Sequence, residues 1–182
     1  MPDPGRLLRD RLESPIGGVL IVADTQGRLR AVEFCEHQDR TQRFLARRLG
    51  KPLDDAEPAS DPFGFTSALA AYFNGDIAAI EPLTVEMAGT PFQRQVWQAL
   101  RGIPAGRTTS YGALAAQIGH PSAVRAVGAA NGANAVGIVV PCHRVIGANA
   151  SLTGYGGGIE RKRWLLAHEA AHIQTPKTGV SA

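Results

Sequence analysis

Apolar and polar positions change their period several times along this chain, and each change marks an element. Leu7–Glu13 reads as a strand, and Pro15-Ile16-Gly17-Gly18 is a turn by composition. Val19–Ala23 and Leu29–Glu36 are further β-rich runs, separated by the hairpin signal Asp24-Thr25-Gln26-Gly27. Arg40–Leu49 sets Phe44, Leu45 and Leu49 among arginines and predicts an amphipathic helix. Lys51–Pro62, rich in Pro, Asp and Ala, predicts a loop. Phe63–Asn74 predicts a second helix stopped by Gly75, and Thr84–Met87 another extended piece. Residues 1–88 therefore make a small α/β unit with an antiparallel sheet.

A helix-start signal opens the second unit, residues 89–174. Thr90 can cap, Pro91 suits the first helical position, and Gln93 completes a capping-box spacing. Phe92, Val96, Trp97 and Leu100 then form one apolar face. Ser110 is placed to cap a short helix, Tyr111–Ile118, and Ser122 to cap the next, Ala123–Ala133, after the break at Gly119-His120-Pro121. Two short helices at this spacing fit a helix-turn-helix or an ordinary helical hairpin. The second is built almost wholly of small side chains, so another surface can approach its backbone closely. That surface is a neighbouring helix or a DNA groove. Arg125 is its one long cation. Gly137-Ile138-Val139-Val140 predicts a buried strand or extended stem, which Pro141 would end. Thr175–Ala182 reads as a solvated tail, and Met1–Pro4 as a frayed start.

The composition is that of a globular protein, with 44% hydrophobic and 19% charged residues. No apolar run has membrane length and no leader is visible, which favours the cytoplasm. Two distant cysteines, Cys35 and Cys142, suggest no disulfide, and no spacing suggests a metal site. Charge is uneven. Residues 1–90 carry 10 Lys+Arg and 14 Asp+Glu, net −4; residues 91–182 carry 9 and 2, net +7. A basic half suggests a polyanionic partner, set against uneven solvated charge.

Cys142 stands where a rigid apolar run would aim it, followed by His143 and Arg144. Positive neighbours lower a thiol pKa, and the thiolate is the nucleophile. The competing reading is an inert buried cysteine.

Five segments decide between these. Phe92-Gln93-x-x-Val96-Trp97, Ser110-Tyr111-Gly112, Arg125-Ala126-Val127-Gly128-x-Ala130-Asn131, Pro141-Cys142-His143-Arg144-Val145 and Trp164-Leu165-Leu166-x-His168-Glu169 occur in this order. Together they resemble the O6-alkylguanine-DNA alkyltransferases, in their free-standing bacterial form. The resemblance is strong over residues 90–169 and looser before, where Tyr72-Phe73-x-Gly75 also fits. It implies an α+β protein: a ribonuclease-H-like first part and a mainly helical second part with a winged helix-turn-helix. Cys142 would take the alkyl group from O6-alkylguanine, and from O4-alkylthymine in some cases, and keep it, one turnover per molecule. His143 resembles the general base, acting through a water, and Glu169 the carboxylate that orients it. Asn134 would hold that water and the turn before Cys142. Tyr111 would press on the target phosphate and donate to the base, and Arg125 would fill the gap left in the duplex. Ser110, Ala126, Ala130 and Asn131 complete the expected DNA contacts in the minor groove. The base must leave the stack to expose its O6 substituent. Val140 and Pro141, through their carbonyls, with Val145, Tyr155 and Gly156, would line its pocket. No cofactor or metal is implied, since the acceptor is the protein's own sulfur, and some relatives' zinc ligands are missing. The partner would be double-stranded DNA carrying the lesion, and the protein a monomer. The sequence departs from many relatives at Ala135, Ala150 and Gly156, which bears on pocket width and loop rigidity. A cysteine hydrolase and a non-catalytic lesion-binding module are the rival readings; exhaustion after one turnover excludes the first, and alkyl transfer the second.

Overall fold

A computed structural model describes residues 5–173. The expected tail at 175–182 and the start at Met1–Pro4 lie outside the described residues. Strands β1 (Leu7–Ser14), β2 (Gly17–Asp24) and β3 (Leu29–Phe34) form an antiparallel meander. β2 lies between the other two and is buried from Val19 onward. Val19, Ile21 and Ala23 join one core, while Leu20 and Val22 join another beneath helix α1 (Gln38–Leu49). Covering on both faces explains why this strand reads as a continuous apolar run.

The stretch expected to be a loop, 51–62, holds more structure than its composition suggests. A 3₁₀ turn at Leu53–Asp55 precedes a two-residue strand, β4 (Glu57–Pro58), parallel to β1. The sheet order is β3-β2-β1-β4, with Pro58 on an edge, where a missing N–H is tolerated. Leu53 and Ala56 are buried against Leu45, which is the driving force. Helix α2 (Phe65–Phe73) starts later than expected, because Asp61 and Phe63 take left-handed φ of 46° and 56°. The extended piece at 84–87 lies along β3: Leu29 N donates to Thr84 O at 2.8 Å and Glu86 N to Leu29 O at 3.0 Å.

Helix α3 (Pro91–Arg101) begins with the expected capping box, Gln93 N donating to Thr90 Oγ1 at 3.2 Å and Thr90 N to Gln93 Oε1 at 3.0 Å. β5 (Thr109–Ser110) leads into α4 (Tyr111–Gln117), which Ser110 caps by accepting from Ala113 N at 3.0 Å. α5 (Val124–Gly132) follows, but Ser122 does not cap it. The boundary residue is Ala123, whose N–H instead donates to His120 O at 2.8 Å. The Trp97 indole ties α3 to α5 by donating to Ala130 O at 2.8 Å. β6 (Val145–Ile146) runs parallel to β5, joining the helix pair to the chain after Cys142. α6 (Ile159–His172) closes the fold. One core spans both parts, with Ile21, Phe34 and Leu69 beside Trp97, Leu114 and Leu165. No helix among the described residues is long and apolar enough to cross a membrane.

Candidate active site

The chain approaching Cys142 is not a strand. It is a series of tight turns: Val139 N donates to Gly137 O, Val140 N to Val136 O and Cys142 N to Val140 O, at 2.8, 2.9 and 2.8 Å. Ile138 takes a φ of 70°, costly for a β-branched residue. The surroundings hold it there. The outer edge of β3 grips the stem, Val32 N donating to Ala135 O and Gly137 N to Val32 O, both at 2.9 Å. Gly137 permits that approach, since a Cβ there would lie 3.2 Å from Val32 O. Asn134 closes the turn from within, its Nδ2 donating to Val140 O at 2.8 Å and its Oδ1 accepting from Val136 N at 3.0 Å. A short 3₁₀ turn, Cys142–Arg144, then carries the reactive residues.

Around Glu169 the structure gathers a buried cluster. His143 Nε2 lies 2.8 Å from Glu169 Oε1. Arg144 grips the same carboxylate with two hydrogen bonds, Nε to Oε2 at 2.9 Å and a terminal nitrogen to Oε1 at 2.8 Å, and also donates to Ile103 O at 2.6 Å. Tyr72, from α2, donates its hydroxyl to Glu169 Oε1 at 2.9 Å. Burial would raise the Glu169 carboxyl, but the bonds from His143 and Arg144 outweigh it and hold the group well below the usual range. Glu169 is therefore ionised and accepts from His143, which carries its proton on Nε2. Burial lowers the His143 pKa against the raising pull of Glu169, so the ring is neutral. Its Nδ1 is buried without a protein partner and keeps a basic lone pair.

The thiol itself corrects an expectation. Burial pushes the Cys142 pKa up, not down. The Arg144 charge is spent on Glu169, and His143 carries none. Asn134, Lys162 and Arg40 pull the thiol down, and Glu33 pushes it up. The resting sulfur is a protonated nucleophile, and the next residue in the chain carries a neutral base.

Cys142 lines two adjoining cavities, each with its own mouth. One is walled by Glu33, Phe34 and Arg40 from the first part; the other by Tyr111, Gly128 and Gly154. Asn131, Gly132, Tyr155 and Gly156 line both. Tyr155 and Gly156 thus line both cavities at Cys142. Val140, Pro141 and Val145 are buried but line neither mouth. The Val140 carbonyl is taken up by Asn134 and Cys142 N, that of Pro141 by Arg144 N at 3.0 Å, and that of Val145 by Lys162.

On the helix pair, Arg125 and Ala126 are exposed and Tyr111 is half-buried at the second mouth. Ala130 and Asn131 are buried, so neither stands on the exposed face. Ala130 packs under Trp97. Asn131 belongs to both cavities, with Nδ2 3.4 Å from Cys142 O and Oδ1 unpartnered. Ser110 Oγ already accepts from Ala113 N as a helix cap.

Three residues of the site went unread in the sequence, and a fourth, Tyr72, was given no role there. Tyr72 lay in a stretch that pattern alone makes core. Lys162 is fully buried and donates to Val145 O at 2.6 Å and Thr153 O at 3.0 Å, pinning both ends of the intervening loop. Its signal was there: Lys162, Leu165 and Glu169 share one helical face with spacings of three and four. Glu33 and Arg40 form an ion pair at the first mouth, and Glu33 interrupts a buried strand.

Known proteins share this sequence and fold. The family model of the 6-O-methylguanine DNA methyltransferase ribonuclease-like domain matches residues 7–87, and that of the DNA binding domain matches residues 91–171. A methylated-DNA–protein-cysteine methyltransferase of Salmonella typhimurium is 52% identical over 164 residues, 90% of this chain and 96% of its own. The crystal structure of a Mycobacterium tuberculosis O6-methylguanine methyltransferase superposes with a TM-score of 0.75 at 39% identity, covering 93% of this chain and 96% of the other. A structure of the M. tuberculosis protein in complex with DNA gives 0.72 at 41%, covering 89% and 92%. The chain belongs to the methylated-DNA–protein-cysteine methyltransferase family, and its C-terminal part is that family's DNA-binding domain.

Proposed function

We propose that this chain repairs O6-alkylguanine in double-stranded DNA by moving the alkyl group irreversibly to Cys142. One observation carries the reading. A buried thiol faces a cavity, and the next residue in the chain carries a neutral imidazole whose Nε2 is fixed by an ionised carboxylate and whose Nδ1 is free. His143 Nδ1 takes the thiol proton, directly or through one water. The thiolate attacks the alkyl carbon, a C–S bond forms, and the C–O6 bond breaks with its electron pair going to the base. Guanine gains a proton at N1, so one proton passes in all from sulfur to base. The product is a thioether, which no group in the site can reverse. Residues 89–174 carry the DNA and the chemistry, with α5 in the minor groove and Arg125 in the gap left by the flipped base. Residues 1–88 hold the stem and supply Tyr72. The second mouth, edged by Tyr111, admits the base. O4-alkylthymine presents the same alkyl–oxygen bond and is a second substrate, and the protein acts as a cytoplasmic monomer.

Mass spectrometry after incubation with duplex O6-methylguanine tests this. The expected product is one methyl on the Cys142 peptide and none with Cys142→Ala. Turnover beyond one equivalent, or methyl on Cys35, overturns it.

A further inference from the structure

The acidic first part of the chain carries a local basic stripe. Helix α1 holds Arg40, Arg43, Arg47 and Arg48 within 12 residues. Spacings of three and four set Arg40, Arg43 and Arg47 along one side. With Phe44 they form one wall of a groove, and Gly132, Ala133 and Asn134, at the end of α5, form the other. Two of these cations are committed: Arg40 to Glu33, and Arg48 to Gln93 Oε1 at 3.3 Å. Arg43 and Arg47 are exposed and pair with no described residue. They stand opposite the C-terminal end of the helix that the reading above places in the minor groove.

A duplex seated on α5 continues past both ends of that helix. Beyond its C-terminal end, the next wall is α1. We propose that Arg43 and Arg47 hold the sugar-phosphate backbone of the same duplex, so that the first part of the chain extends the DNA footprint. The groove is continuous with the DNA-facing helix, and its charge is complementary to phosphate. A guanidinium fork suits phosphate oxygens, and such contacts carry no sequence information, as repair in any sequence context requires. Arg47 also lies in the last turn of α1, where a cation complements the helix dipole. Arg43 lies a turn earlier, and the dipole does not account for it.

The inference rests on the proposed function, and the experiment separates the two. Binding of the full chain to an O6-methylguanine duplex is measured by fluorescence anisotropy across a salt series. In Arg43→Gln/Arg47→Gln the slope of log affinity against log salt should shrink by about 2, since each phosphate contact contributes roughly 0.9. Arg43→Lys/Arg47→Lys should keep most of the slope, and Arg43→Gln alone should lose about 1; the single variant serves if the pair does not fold. Arg163→Gln on α6, which lines no part of the groove, should keep the wild-type slope. A wild-type slope in the glutamine variants overturns the inference. An equal fall in Arg163→Gln also overturns it, by assigning the effect to net charge. Methyl transfer to Cys142 by the wild-type protein reads the underlying function independently: transfer with unchanged slopes leaves the function standing and removes only the clamp.

Discussion

Glu169 organises the buried centre because three side chains converge on one carboxylate. Removing its charge leaves Arg144 buried and uncompensated. Glu169→Gln should therefore destabilise the fold by about 3 kcal/mol, in the range for breaking a buried pair, and slow transfer at least about tenfold. Urea unfolding and single-turnover kinetics read the two effects; an unchanged rate at saturating DNA would remove Glu169 from the mechanism. The same groups set the pH response. His143 stays neutral in the fold below its ordinary value of 6.5, so transfer should be flat through neutrality and decline only as pH falls below that value. Stability follows in two stages. The unfolded chain protonates His143 near 6.5 while the fold does not, so stability drops as pH falls through that value. The depressed Glu169 carboxyl contributes stability that is complete above 4.5 and lost as pH falls below it. A rate that rises on acidification would contradict a neutral base. Asn131 supplies a further test. O6-alkylation removes the N1 proton of guanine, leaving the exocyclic amine as the donor on the base edge. Asn131 lines both cavities, and its Oδ1, buried without a protein partner, is the acceptor that a turn of this side chain would present to the amine. Asn131→Ala should cost about tenfold with O6-methylguanine and much less with the analogue lacking that amine. Equal losses would make Asn131 a packing residue.

At the level of elements, the sequence was legible where local chemistry decides. The Thr90–Gln93 box and the Ser110 cap each need only residues within one turn, and both formed. Gly137–Val140 was not legible. Four apolar residues fix no period, and the turns depend on the edge of β3, more than a hundred positions earlier. Ser122 misled for a related reason: its type fits a cap, but the tight turn at His120–Ala123 settles where α5 begins. The Tyr72–Glu169 contact spans 97 positions and leaves no local trace. Cys142, His143 and Glu169 were candidates because the first two are adjacent and the third falls in a segment that resembles the family's. Ala150 departs from many relatives, and the structure gives it a φ of 61°, in the left-handed region that favours glycine. Relieving that strain outweighs the extra freedom of glycine in the unfolded chain, so Ala150→Gly should stabilise the protein by about 0.5 to 1 kcal/mol. A lower unfolding midpoint would show that the loop does not hold this conformation.

Across the whole molecule, the two parts divide the work while sharing one core. The first part braces the stem through β3 and reaches the reactive cluster through Tyr72. The second is the DNA-binding domain, and the proposed function has it meet the duplex through α4 and α5. Residues 91–182 carry a net charge of +7, which attracts any duplex and should make binding salt-sensitive and weakly sequence-specific. Attraction alone does not bring a stacked base to a buried sulfur; extrusion requires something to occupy the gap. Arg125 is exposed on α5, forms no ion pair with a described residue, and is the one long side chain on a helix otherwise smooth enough to enter a groove. An ordinary surface salt bridge, the plainest alternative for such a residue, has no partner here among the described residues. Arg125→Ala should therefore slow repair of duplex DNA by about tenfold or more, while transfer from free O6-alkylguanine, which needs no extrusion, should suffer far less. Measuring both rates in the same variant separates flipping from chemistry. An equal loss with duplex and free base would assign Arg125 to folding or to the reaction itself, and the gap-filling role would have to be dropped.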